Sequence, residues 1–422
     1  MRRSAVTAIL AIFTIFVCAA CSLLPLAARA GARPSDYEIE LAQLHREIAA
    51  LKDDAAAPRG DPEKSIKSVD LLCRRASLTG SFADFEVATA AIDAALRQIG
   101  PSQDLYFLRA RLDYAFHRLP EAKNDLQMAS ARSENSHVDA LWADLNLQEG
   151  GTQEAGKEYE NLVRRNRSWD NLARLAYLKS ITGDFTGSEA LYAEAENEIT
   201  AKEMRSYAWI KVQRGFLAFR RGRLEEASTH YREADQAYSG YWFVEEHMAE
   251  LLGAQRRFDD AAALYRQVVE RAPKPEIYQA LGDLYTFMGK PDLAKPWHEK
   301  ALNGYLESVR RGEVHYFHHL AGFYADVRED GAEAVKWARK DLGLRRGYAA
   351  HDALAWGLYR DGRFPEAAEE MDKALASGVK DAHLYFHAAM IDLASGRAAE
   401  GRRLLKQAAE TNPRFDAFHV HR

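Results

Sequence analysis

The chain has 422 residues, of which 47% are hydrophobic and 28% charged, and its formal net charge is -5. That is the composition of an ordinary folded body, long enough for several domains or for one long array. Lysine and arginine are scattered rather than blocked, so a stripe that tracks a phosphate backbone is not expected and a nucleic-acid ligand is set aside.

The first element is an export segment. Arg2 and Arg3 precede a run without a charge from Ser4 to Ala28. Residues 1–30 are therefore read as a signal peptide or as a lipoprotein or membrane anchor, and the body is expected outside the inner membrane, in the periplasm. Three outcomes fit this segment. Ala28-Arg29-Ala30 is an A-x-A site for cleavage before Gly31. Ala19-Ala20-Cys21 resembles a lipobox that would lipidate Cys21, although Cys18 stands where that motif has a branched aliphatic. The uncharged run is also long enough to remain as an uncleaved span, which would make the attachment to the membrane permanent. Cleavage before Gly31 would leave Cys73 alone, with no internal disulfide.

Residues 31–68 read as a helical stalk and linker. Tyr37, Leu41, Leu44, Ile48 and Leu51 follow a narrow heptad-like spacing. Such a stripe either pairs two copies of the chain as a homodimer or docks on the next element; about two heptads fall short of the length a coiled coil usually needs. Pro58, Gly60 and Pro62 mark the linker.

From Val69 onward one pattern repeats. Small residues recur at Ala88, Ala122, Ala155, Ser188, Ala227, Ala261, Ala294, Ala334, Ala367 and Gly401, in steps of 34, 33, 33, 39, 34, 33, 40, 33 and 34 residues. A second small residue lies twelve before each: Ala76, Ala110, Ala143, Ala176, Gly215, Ala249, Gly282, Gly322, Ala355 and Ala389. Paired notches at this phase predict helix pairs that touch backbone to backbone. Gly150, Gly183, Gly222, Gly289, Gly362 and Gly396 fall between the two helices, where a residue at ease with positive φ ends the first. Glu329 occupies that place in the unit around Ala334, whose register is the least regular. The best-formed copy is Ile277 to Leu302.

This phased pattern resembles the tetratricopeptide repeat (TPR) family over about residues 69–413. The resemblance implies an all-α fold, a superhelical solenoid of about ten helix-turn-helix repeats, with residues 414–422 as a short tail. It also implies a concave groove lined by first helices that binds a protein or peptide, hence a scaffold or adaptor. The inward positions are Trp209, Phe216, Phe219, Glu246, Glu250, Asp283, Tyr316, His319, Phe323, Asp326, Asp352, Trp356, Tyr359 and His383. An aromatic and acidic wall of this kind suits a basic or amide-rich segment, although about half of such aromatics are expected to pack between repeats instead. The Lys and Asn clamp with which some members hold a terminal carboxylate is missing.

Nine of the fourteen histidines lie from His298 to His421. His315 with His319, and His383 with His387, are four apart and could share a helix face, which gives the alternative of a metal-handling accessory protein. The bland reading is ordinary polar residues, since the pairs belong to units three apart. No phosphate loop, nucleophile elbow or zincin motif is present, so neither an enzyme nor a cofactor is expected.

Overall fold

The computed structural model describes residues 33–55, 61–130 and 136–420. The first 32 residues, with Cys18 and Cys21, and nearly all of the linker lie outside the described residues, so the reading of 1–30 as an export segment falls there. Among the described residues there is no strand, and twenty-one α-helices follow one another.

After α1 (Asp36–Ala55) the chain forms ten hairpins. Units one to five are α2 (Pro62–Thr79) with α3 (Phe82–Ile99), α4 (Gln103–Ala115) with α5 (Leu119–Ser130), α6 (Ser136–Gln148) with α7 (Thr152–Arg165), α8 (Trp169–Thr182) with α9 (Phe185–Glu198), and α10 (Met204–Arg220) with α11 (Leu224–Ala237). Units six to ten are α12 (Trp242–Ala254) with α13 (Phe258–Arg271), α14 (Pro275–Phe287) with α15 (Pro291–Arg310), α16 (Phe317–Gly322) with α17 (Gly331–Leu344), α18 (Tyr348–Arg360) with α19 (Phe364–Ala376), and α20 (Ala382–Ala394) with α21 (Ala398–Thr411). Unit one begins at Pro62, where Asp61 caps the first turn, rather than at Val69. The two long steps are absorbed by lengthening helices: α10 runs for 17 residues and α15 for 20.

The small-residue phase sets how closely each pair packs. A Cβ on Gly215 would lie 2.2 Å from the Tyr231 ring, and one on Gly282 would lie 2.2 Å from the His298 ring. The alanines at the corresponding places in other units are all but fully buried, among them Ala110, Ala143, Ala355 and Ala389. Unit eight departs from the expected phase. A Cβ on Gly322 would meet nothing within 4 Å. The helix changes there into a π-helical segment, Phe323–Val327, whose wider turn brings Ala321 and Ala325 to the buried side instead.

All ten hairpin turns contain a residue in the left-handed region. The six glycines anticipated from sequence adopt φ between 70° and 91°. The other four turns use Gly80, His117, Arg256 and Glu329, with φ of 56°, 58°, 61° and 52°. Three units therefore accept backbone strain where glycine would be relaxed.

The array also closes on itself. Trp242 Nε1 donates to the Leu78 carbonyl (3.1 Å), and Lys274 Nζ sits 3.9 Å over the Trp242 ring beside Gly80. Further along, the Arg346 N–H donates to Gln148 O (3.2 Å) and the Lys380 N–H to Ile181 O (2.7 Å), while Asn412 meets Gly222. In each of these contacts the hairpin turn of one unit meets a loop about six units later, so successive windings lie edge on edge. Arg220 and Asp381 form an ion pair across the same seam at 2.8 Å.

Helix α1 is docked rather than standing away as a stalk. Tyr37, Leu44 and Ile48 are buried in one cluster with Val69 and Leu72 of α2. Its N-terminus reaches the loop before unit six, where Asp36 accepts from Ser239 and Tyr238 donates to Glu40. The stripe that could have paired two copies is thus occupied within one chain, and α1 stands where the second helix of a preceding unit would stand.

Gly282 and Gly322 make opposite predictions from the same sequence phase. Gly282→Val should lower stability by about 1–3 kcal/mol through overpacking against His298. Gly322→Ala should be neutral or stabilising by up to about 1 kcal/mol, because a helical glycine is replaced without a clash. Urea unfolding of the two variants measures both.

Candidate functional site

The first helices face the inside of the closed superhelix, which makes the expected groove a lumen. Tyr177 illustrates the environment: its side chain is 39% exposed, yet protein surrounds it so closely that loss of water raises its phenol pKa. A cavity of about 930 Å3 opens among units six, seven and eight.

Five carboxylates, Glu246, Glu276, Asp283, Glu299 and Asp326, line that cavity, against two cations, Lys295 and Arg328. Each carboxylate has a partner that fixes it. Asp283 lies 2.9 Å from His298 Nε2, and Glu276 accepts from the Tyr316 hydroxyl (2.9 Å). Trp356 Nε1 donates to Asp326 (2.9 Å). Glu299 holds Arg328 at 2.8 Å and Glu246 lies 2.9 Å from His247. The wall is therefore pre-organised and carries an excess of negative charge.

The expected groove residues divide into three groups. Glu246, Asp283, Tyr316, His319 and Asp326 lie in or beside the cavity, and Asp352, Trp356 and Tyr359 continue the wall in unit nine. There the Trp356 ring stacks on Tyr359 (centroids 4.8 Å apart) and on His387 (4.1 Å), while His387 Nδ1 lies 3.0 Å from Asp352. Trp209 of unit five faces Trp169 of unit four at 6.4 Å. Phe323 is a correction: expected in the groove, it is fully buried against His298 and Tyr305, because the π-helical segment turns it inward. Phe216, Phe219, Glu250 and His383 form the third group, and the C-terminal tail covers them.

That tail does not stay beside the last hairpin. Instead it crosses to units five and six. Phe418 is 1% exposed and seats against Gly253, where a Cβ would lie 2.4 Å from its ring. His419 lies between Phe219 (5.1 Å) and His383 (4.8 Å). Its Nδ1 is 2.7 Å from Glu250 Oε1, and the Val420 N–H donates to the same oxygen at 2.6 Å. A carboxylate only accepts, so the Nδ1 carries the proton. The signal in the sequence was a run of aromatic residues after Pro413, but nothing in it names the partner helices.

The histidines do not converge as the metal reading required. His315 lies in the loop before α16, and its ring is 6.3 Å from that of His319. His383 and His387 belong to α20 and engage His419 and Asp352 instead. Sequence reasoning also missed His117, which comes from the turn of unit two and stacks on His315 at 5.1 Å. Burial, followed by the nearby Arg345, holds His117 neutral, and burial drives His315 down to about 4. His319 is pushed well down by burial and by His318. Among the described residues, Glu189, Glu226 and His230 do bring three ligand atoms within 4.8 Å, between α9 and α11. Arg214 already holds Glu189 and Arg223 holds Glu226, so two cations occupy the charges a metal would need. Cys73 is buried, and loss of water pushes its thiol up to about 12, which leaves no reactive thiolate there.

A tetratricopeptide-repeat profile matches residues 275–303, which are unit seven without the end of its long second helix. That segment is a tetratricopeptide repeat, and the same helix-pair phase runs through the neighbouring units. Among solved structures, the human IFIT1 dimer with PPP-AAAA is similar at 14% identity, with 88% of each chain covered and a TM-score of 0.46. A tetratricopeptide repeat protein from Parabacteroides merdae is similar at 18% identity over 57% of this chain and 93% of its own, with a TM-score of 0.37. No curated protein matches the sequence.

The buried imidazoles predict an acid-labile seam. A histidine whose pKa is lower folded than unfolded contributes its full stability above 6.5 and loses it as pH falls through 6.5 toward 4, the range set by His315. Asp341 adds a later loss: burial raises its pKa, but His318 and Arg345 outweigh that and hold it at about 2, so its contribution disappears from 3.8 downward. The urea midpoint should therefore fall between about pH 6.5 and 4, and His315→Gln should flatten that part of the profile.

Proposed function

We propose that the chain is an exported scaffold that binds an extended segment of a partner protein, basic or rich in amides, in the acidic part of its lumen. The observation that carries this reading is the cavity of about 930 Å3 with five carboxylates against two cations, walled by aromatic rings. Aromatic walls give contact area at low entropic cost, and fixed carboxylates select cations and amide donors. The same charge repels phosphates, so a nucleic-acid ligand is not proposed. Binding rather than catalysis also fits a set of carboxylates that are each tied to a structural partner.

The exported location rests on Arg2, Arg3 and the apolar run that follows them. Among the described residues no helix is long and apolar enough to cross a membrane. Any attachment to the membrane is assigned to residues 1–30, through lipidation of Cys21 or an uncleaved span.

A short fluorescent peptide rich in Lys and Asn is a suitable probe. Its affinity should fall as salt is raised, and the triple variant D283N, E299Q and D326N should weaken it by about tenfold, at roughly 0.5 kcal/mol for each partly screened charge. Unchanged anisotropy titrations for the triple variant would contradict the acidic-lumen reading.

A further inference from the structure

The tail is poorly placed to serve only as a cap. A cap of the last unit would cover the outer side of the final hairpin. There Leu393, packed beside Gly401, remains 36% exposed, while the tail leads away to the lumen face of units five and six. Its contacts have the character of ligand recognition. A phenylalanine ring fills a notch that exists because residue 253 has no side chain, and one buried carboxylate oxygen reads both an imidazole N–H and a backbone N–H. A main-chain N–H held by a fixed carboxylate gives affinity that does not depend on the side chain, and the notch gives sequence preference. Phe418, His419 and Val420 also line the acidic cavity, together with Asp326 and Arg328.

We infer that the lumen at Gly253 and Glu250 is a site for an extended aromatic–imidazole–aliphatic segment continued by basic residues, and that the chain's own tail occupies it in cis until a partner's segment of the same chemistry displaces it. This rests on the reading of the lumen as a binding site, and it names both the segment and the control over access. A tethered tail competes at an effective concentration on the order of millimolar, so an incoming segment must either exceed it in affinity or meet a tail that has been released. Basic residues that reach farther into the cavity supply that advantage.

The test uses the full chain and a fluorescein-labelled peptide of residues 412–422. Against the wild type the peptide should bind at least about tenfold more weakly than against the double variant F418A and H419A, whose tail is released. Adding G253L or E250Q to the double variant should remove that gain. Equal affinity for the wild type and the double variant, or no binding to a double variant with the wild-type circular dichroism spectrum, overturns the proposal. Should the double variant fail to fold, hydrogen exchange on the wild type decides: excess unlabelled peptide should accelerate exchange at Val420, and an unchanged rate means that the tail is a fixed cap. The Lys- and Asn-rich probe separates the two readings, because its binding with a non-displaceable tail removes this inference alone, whereas its failure removes the acidic-lumen reading.

Discussion

The close approach of two helices at paired small residues is the constraint on which the rest depends. With no Cβ at Gly282, the His298 ring can lie against the first-helix backbone, and from there its Nε2 reaches Asp283. At Gly215 the Tyr231 ring takes the corresponding place. The notch therefore does more than tighten a hairpin. At Gly282 it allows the second-helix ring to reach through to the inner face, where it fixes a carboxylate that lines the cavity. Burial without a partner would be costly for these groups, and pairing them makes an acidic wall tolerable.

Repetition at a steady pitch then turns hairpins into a closed body. Because a hairpin turn meets a loop about six units later, the inner face becomes a lumen whose two windings are joined by backbone hydrogen bonds at Gln148 and Ile181 and by the Arg220 and Asp381 pair. Contacts of this kind extend well beyond nearest neighbours. The array should therefore unfold more cooperatively than an open solenoid, in which each unit touches only the next. The closure also explains why a tail from unit ten can reach helices of units five and six.

Much of this was legible in the sequence, because a local pattern specified it. Hairpin boundaries and turn glycines follow from spacing and from the φ preferences of single residues, and all six anticipated glycines adopt positive φ. Unit eight was only half legible: Glu329 signalled an irregular turn, but the π-helical segment that turns Phe323 inward depends on packing between units. The closure was not legible, since small angular increments accumulate over six units before any contact forms. For the same reason His117 could not be associated with His315, nor the tail with Glu250. Asp283, His319 and Asp326, read as inward from the repeat phase, do lie around one cavity, whereas nothing local announced the tail that covers Phe219 and Glu250.

Hydrogen exchange, resolved by segment, on the wild-type chain with and without the peptide of residues 412–422 tests the central claim most directly. A lumen that takes an extended segment by displacing the tail predicts that exchange rises at residues 414–420 of the chain, while the first helices α12 and α14 keep or gain protection. Protection appearing on the outer helix α13, with the tail unchanged, would contradict it.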